Sequence, residues 1–309
     1  RWEVFMQEVL VKSADNHAPD CDAISLFQEL VGYSLTTETH HEKMAWMAGE
    51  GGNGKSVAVR AIRNLLGGKL AQSVDFQTLG TVGNYDLADL VGCRMIVSTE
   101  SQRGGNIAEE QIKRLVSGEQ IRTRSIYGKP FDLMPVCKVW WAMNDKPVIR
   151  GTDNSIWRRM ALFTFHRAFD GPDKEPGVEP DTHLSETLAG ELPGILNWAL
   201  VGLRRLRSQG FTKSLTVEQA TEEYRKESNP IALYLDERTV RIYGEWVYAR
   251  DLDKDYHLWC DQTGRKPLNS TNFGKELTRL KVERGRDGKG IKYQLALKAT
   301  DYTEPMEGW

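Results

Sequence analysis

Gly49-Glu50-Gly51-Gly52-Asn53-Gly54-Lys55-Ser56 has the spacing G-x-x-x-x-G-K-[ST] of a phosphate-binding loop. The apolar run Met44-Ala45-Trp46-Met47-Ala48 precedes it, and a helical pattern from about Lys55 to Leu66 follows. Strand, glycine-rich turn and helix in that order point backbone N–H groups into an anion-sized concavity, to which the helix adds the positive end of its dipole. Gly49, Gly51, Gly52, Asn53 and Gly54 are the expected cradle. Lys55 is expected on the β- and γ-phosphates and the Ser56 hydroxyl on magnesium, so the ligands called for are a nucleoside triphosphate and Mg2+.

Outward from this loop, apolar strands alternate with helices from Lys43 to about Phe169, the rhythm of an α/β fold with a mostly parallel sheet. One strand, Arg94-Met95-Ile96-Val97-Ser98, runs into Thr99-Glu100. An acid there suits activation of the attacking water and a share in the metal shell, although a solvated acid also ends many strands. The strand from Val136 to Ala142 leads to Asn144-Asp145-Lys146-Pro147, which places a neutral amide, Asn144, where it can hold a γ-phosphate or a water. Asn ahead of a Pro turn is also an ordinary strand terminator. Arg158-Arg159 precede the strand Leu162-Phe163-Thr164-Phe165, and either arginine is suited to reach a neighbouring subunit's nucleotide. Trp140 and Trp141 read as core, and His40 and His41 show no visible partner.

Before this region, residues 1 to about 42 read as two helices parted by Asn16, Pro19 and Asp20. Residues 170 to 181 are rich in Pro, Gly and acid and read as a loop, and a helix is expected from about Glu186 to Arg207. Beyond Gly210, a helix around Leu252 to Trp259, a second from Ser270 to Leu280 and a β-ribbon from Lys281 to Leu295 follow the order of a winged helix. Lys275, Arg279, Arg284, Arg286 and Lys289 gather there as candidate phosphate contacts, with a solvated helix face and wing as the alternative.

With 309 residues the chain has room for two cores. A net charge of −2 confines any nucleic-acid contact to local patches. Cys21, Cys93, Cys137 and Cys260 are too scattered for a zinc site or a disulfide framework, which fits a reducing cytoplasm, bacterial or of an infected host cell. No apolar run is long enough to span a bilayer. A start at Arg1 rather than Met suggests a fragment of a longer polypeptide, and no primase signature is visible.

In this order the motifs resemble the superfamily 3 helicases, above all the helicase part of phage, plasmid and poxvirus-type primase-helicases. The resemblance rests on Gly32-Tyr33-Ser34-Leu35-Thr36, on the loop with Asn53, on Ser117-Gly118-Glu119-Gln120-Ile121-Arg122-Thr123-Arg124, on Tyr127-Gly128-Lys129-Pro130-Phe131, on Asn144 with Pro147, and on Trp157-Arg158-Arg159. It implies an AAA+ P-loop ATPase domain over residues 43–207, an N-terminal helical segment over 1–42, a linker helix over 208–232 and a winged-helix-like domain over 233–309. By that resemblance Glu100, Asn144, Arg159 and Lys55 are catalytic. Ser56 and Glu100 serve the metal, and Lys129, Tyr127 and Phe131 meet single-stranded DNA in the channel of a hexameric ring. Lys275, Arg279 and Arg284 would touch DNA from the C-terminal domain. The implied activity is ATP-dependent unwinding of forked DNA in replication of a phage, plasmid, virus or other mobile element. It leaves room for a primase domain upstream in the same polypeptide and calls for no membrane partner. An ATP-dependent replication initiator without processive unwinding is the alternative. A metabolic P-loop kinase fits less well, since it would need a lid rather than an arginine in trans. Thr99 departs from the two adjacent acids of many such motors, which leaves Glu100 to serve both metal and water.

Overall fold

The computed structural model describes residues 1–76, 79, 85–99, 107–147, 149, 154–172 and 174–298. They form two compact units, residues 1–224 and residues from Arg225 onward. Two helices open the first unit, α1 (Trp2–Val9) and α2 (Cys21–Ser34). Trp2, Phe5, Met6 and Val9 recur at helical spacing and are buried. The Asp20 carboxylate caps α2 by accepting from the Ala23 amide at 3.0 Å. Strand β1 (Met44–Ala48) and helix α3 (Lys55–Leu66) flank the glycine-rich loop. The chain then forms β2 (Ala71–Ser73), β3 (Met95–Ser98), α4 (Glu109–Ser117), β4 (Ile121–Thr123), β5 (Phe131–Leu133), β6 (Lys138–Met143) and β7 (Met160–Thr164). Helices α5 (Leu184–Gly190), α6 (Leu192–Gln209) and α7 (Leu215–Ser228) follow.

The sheet order is β2-β3-β6-β1-β7, with every pairing parallel. A parallel sheet is covered on both faces, which explains why its central strands are largely apolar rather than alternating with polar residues. Successive side chains go to opposite layers. Ala45, Met47 and Trp140 join the layer formed with α1 and α2, whereas Trp46 and Trp141 join the layer that holds Phe76 and the residues of α4. Trp140 packs on Phe27 at 5.2 Å and donates from its indole to Ser34 Oγ at 2.9 Å. Trp141 meets Trp46 at 4.8 Å. The adjacent tryptophans are thus core, as expected.

Residues 1–42 therefore share a core with the sheet. Helices α2 and α6 cross so closely that a Cβ on Gly32 would lie 2.4 Å from Ala199 O, and one on Gly202 2.5 Å from Gln28 O. The single helix expected from Glu186 is instead two, with the break at Glu191 and Pro193 in the first turn of α6.

The second unit holds α8 (Pro230–Arg238), β8 (Thr239–Val240), β9 (Val247–Tyr248), α9 (Ala249–Gln262), α10 (Ser270–Arg279), β10 (Arg284–Asp287), β11 (Gly290–Tyr293) and β12 (Ala296–Leu297). Its core gathers Tyr234, Leu252, Tyr256, Trp259, Phe273 and Leu277. The expected ribbon forms as antiparallel β10 and β11, and β9 adds a third strand.

Candidate nucleotide site

Because the central strands are parallel, the residues that follow β1, β3, β6 and β7 gather along one edge of the sheet. That edge is where open α/β sheets bind ligands. The loop after β1 turns through Gly49, Gly52 and Gly54, with φ of 154°, 69° and 88°. Gly52 shows why glycine is required, since a Cβ there would sit 2.0 Å from Asp170 O. The segment after β7 straps the loop through Phe165 N–H to Ala48 O and Phe169 N–H to Gly52 O, each at 2.8 Å. Asn53 is buried and donates from its amide to Phe165 O at 3.3 Å. From below, Phe5 and Val9 of α1 press against Gly54.

Lys55 opens α3 and folds back into the loop, its ammonium donating to Gly49 O, Glu50 O and Asn53 Oδ1 at 2.6, 2.7 and 2.8 Å. Burial pushes this amine down to about 8, and the nearby Glu50 carboxylate offsets part of the effect. Ser56, the next residue, is exposed. The N-cap of α3 is Gly54, so no side chain caps its first-turn amides. Between α1, α2, the end of β7 and α7 runs a groove lined by Leu10, Val11, Asp20, Thr164, His166 and Val217. Burial, with the neighbouring His17, holds His166 below its ordinary range.

On the same edge, β6 lies between β1 and β3, with Ala48 beside Met143 and Ser98 beside Trp141. Asn144 follows β6 directly and is exposed, between the end of the loop strand and the end of β3. Thr99 is exposed, and Glu100 lies outside the described residues.

The arginine pair sits elsewhere. Arg158 and Arg159 precede β7, whose first residue, Met160, pairs with Met44 at the start of β1. The pair therefore occupies the opposite edge from the loop, separated from it by the length of a five-residue strand, roughly 16 Å. The Arg159 side chain is 8% exposed and is held by Ser155 O at 2.7 Å, Ser117 Oγ at 2.8 Å and Glu42 Oε2 at 2.9 Å. Arg158, 60% exposed, reaches the same Glu42 oxygen at 2.9 Å.

Strands β4 and β5 form the expected hairpin, with Arg122 and Asp132 paired across it at 2.9 Å. Tyr127, in the left-handed region at φ 61°, is fully exposed, and Ile126 and Lys129 are exposed beside it. Phe131 behaves differently: it is half-buried and packs on the core layer of Trp141. In the second unit Lys275, Arg279, Arg284, Arg286 and Lys289 all reach solvent to some degree. Among the described residues there is no cluster of His, Cys, Asp or Glu able to hold a metal by itself, and no helix long and apolar enough to cross a membrane.

Sequence reasoning passed over Glu42, Ser117 and the strap at Phe165 to Asp170. Each works through partners distant in the chain, or through backbone atoms, neither of which leaves a local pattern. For Ser117 a signal existed, since it lies inside a recognised motif.

A family of unknown function, DUF5906, matches residues 47–159, from the end of β1 to the arginine pair. A protein of Acanthamoeba polyphaga mimivirus named "Putative helicase L207/L206" is 25% identical over 270 residues, covering 81% of this chain and 28% of the relative. "Putative helicase 184R" of Invertebrate iridescent virus 6 is 28% identical over 252 residues, covering 70% of this chain and 26% of that protein. The chain thus spans about a quarter of the length of these relatives. Among solved structures, the apo C-terminal region of NrS-1 (305-718) superposes with a TM-score of 0.53 at 11% identity over 94% of this chain and 74% of that one. An A form of the same region gives 0.53 at 9% identity, covering 96% and 76%. These structures share the fold. The resemblance to viral helicases is carried by these relatives.

Proposed function

We propose that this relative of viral helicases is an ATP-dependent DNA helicase, assembling as a ring of copies and moving on single-stranded DNA during replication of a virus, phage or other mobile element. The observation that carries the reading is the separation of loop and arginines to opposite edges of one sheet. A copy with a phosphate cradle at one edge and an exposed cation at the other is built to share its site with a neighbour. In this reading Gly49 to Gly54 hold the phosphates by backbone amides, and Lys55 turns from the loop carbonyls to the β- and γ-phosphates. The residues suit the group: three positive-φ glycines shape the cradle, and an exposed hydroxyl, Ser56, stands next to the phosphate-binding lysine. Magnesium, bound by Ser56 and the phosphates, supplies charge neutralisation. In the same reading Asn144 orients the γ-phosphate or the water, and Glu100 is the general base.

The hairpin tip would meet the DNA. Lys129 and Tyr127 offer a phosphate contact and a stacking face, whereas Phe131 anchors the hairpin to the core. The order helix, strand, helix, helix, ribbon in the second unit suits a winged helix that contacts duplex through Lys275, Arg279 and Arg284.

Strand displacement on a forked duplex with ATP tests the proposal. Unwinding by the unaltered chain that is lost in both Lys55→Ala and Lys129→Ala is the expected result. ATP hydrolysis and duplex binding without strand separation would favour an initiator instead.

A further inference from the structure

We propose that Arg158, rather than Arg159, is the cation offered to a neighbouring copy's nucleotide, and that Glu42 is the residue that positions it. The inference rests on the shared-site reading above and assigns its second half. Arg159 is not free to travel. Its guanidinium is anchored on Ser155 O, Ser117 Oγ and Glu42 Oε2 and is 8% exposed, so withdrawing it would strand three partners. It works as a strut that joins the end of α4 to the turn before β1.

Arg158 is the opposite case. Its backbone is fixed, because Lys43 Nζ donates to its carbonyl at 2.6 Å and its own amide donates to Asn154 O at 3.2 Å. Trp157 beside it is buried against Tyr224 at 5.2 Å. Its side chain is 60% exposed, and its ion pair is with Glu42, through the oxygen that Arg159 also uses. A carboxylate oxygen divided between two guanidinium groups holds the exposed one weakly, and a polyphosphate carrying several charges displaces it. Glu42 itself is locked at φ 48°, a left-handed conformation rare for a residue with a side chain. The strained turn aims the carboxylate at the arginines. Glu42 thus keeps Arg158 extended and partly neutralised until a neighbour presents its phosphates.

The test is subunit mixing. Lys55→Ala lacks the loop cation and keeps its arginines; Arg158→Ala has the converse defect. Each alone should hydrolyse ATP about 100-fold or more slowly than the unaltered chain. Arg158→Ala should bind a fluorescent ATP analogue normally. Mixed in equal amounts, the two should recover toward about a quarter of the unaltered rate, the share of interfaces at which an intact loop meets an intact arginine. Glu42→Gln should lower the unfolding temperature, since buried Arg159 loses a charged partner, and should raise kcat/KM for ATP several-fold, since Arg158 is released from competition. Arg159→Lys should lower the unfolding temperature.

Recovery with Arg159→Ala in place of Arg158→Ala would overturn the assignment. So would the absence of recovery in either mixture while the unaltered chain hydrolyses ATP. An unchanged kcat/KM in Glu42→Gln would reduce Glu42 to a structural contact and overturn its positioning role. An unaltered chain with no ATPase activity would instead overturn the shared-site reading, and this inference with it.

Discussion

Lys55 is a buried amine held by the carbonyl oxygens of its own loop and by Asn53. With its pKa pushed down to about 8, the amine is less willing to carry a proton in the fold than in the unfolded chain. A base lowered in this way is a cost to stability below about pH 8, relieved as pH rises toward its ordinary range. Phosphates need the charged form, so ATP affinity should be flat below about pH 8 and fall by up to tenfold per unit above it, as titration with a fluorescent analogue between about pH 7 and 9.5 would measure. Two neighbouring glycines give a second prediction. Gly52→Ala forces a Cβ onto Asp170 O at a positive φ and should cost about 1–3 kcal/mol along with ATP binding. At Gly51 a Cβ meets nothing within 4 Å, and Gly51→Ala should stay within about 0.5 kcal/mol of the unaltered chain in urea unfolding. The glycine-rich turn was legible because its pattern lies in eight consecutive residues. The anchoring of Arg159 was not, because Glu42 and Ser117 reach it only after the sheet has folded.

Elements were legible in proportion to how fully they are buried. Strands β1, β3, β6 and β7 announced themselves as apolar runs because both faces of a parallel sheet are covered. Strand β2 is Ala71-Gln72-Ser73 at the sheet edge, too short and too polar to leave a pattern. Glycines 32 and 202 carried no readable meaning in the sequence, yet they set the distance between α2 and α6. Gly202→Ala should therefore loosen that crossing by about 1–3 kcal/mol, read as a lower urea midpoint. The hairpin divides along its own length. Lys129→Ala should leave the unfolding temperature alone while abolishing stimulation of ATPase by single-stranded DNA; Phe131→Ala should lower the unfolding temperature first, because its ring packs on the core.

For the whole molecule, the second unit has its own core and its own cluster of cations at the surface. If those side chains meet phosphates, replacing Lys275, Arg279 and Arg284 together by Ala should weaken duplex binding for every sequence. The slope of log affinity against log salt, measured by fluorescence anisotropy, should shrink by about 0.9 for each phosphate no longer neutralised. The sheet of the first unit has a consequence of another kind. Its loop and its arginines lie at opposite ends of parallel strands. If one copy's arginines meet the next copy's loop by a head-to-tail contact, that contact uses two different patches and is not closed by a two-fold axis. Copies added head to tail must either come round to meet the first or continue as a helical filament. The rotation between successive copies decides which, and a small change where two copies meet can turn an object of fixed mass into one without an end.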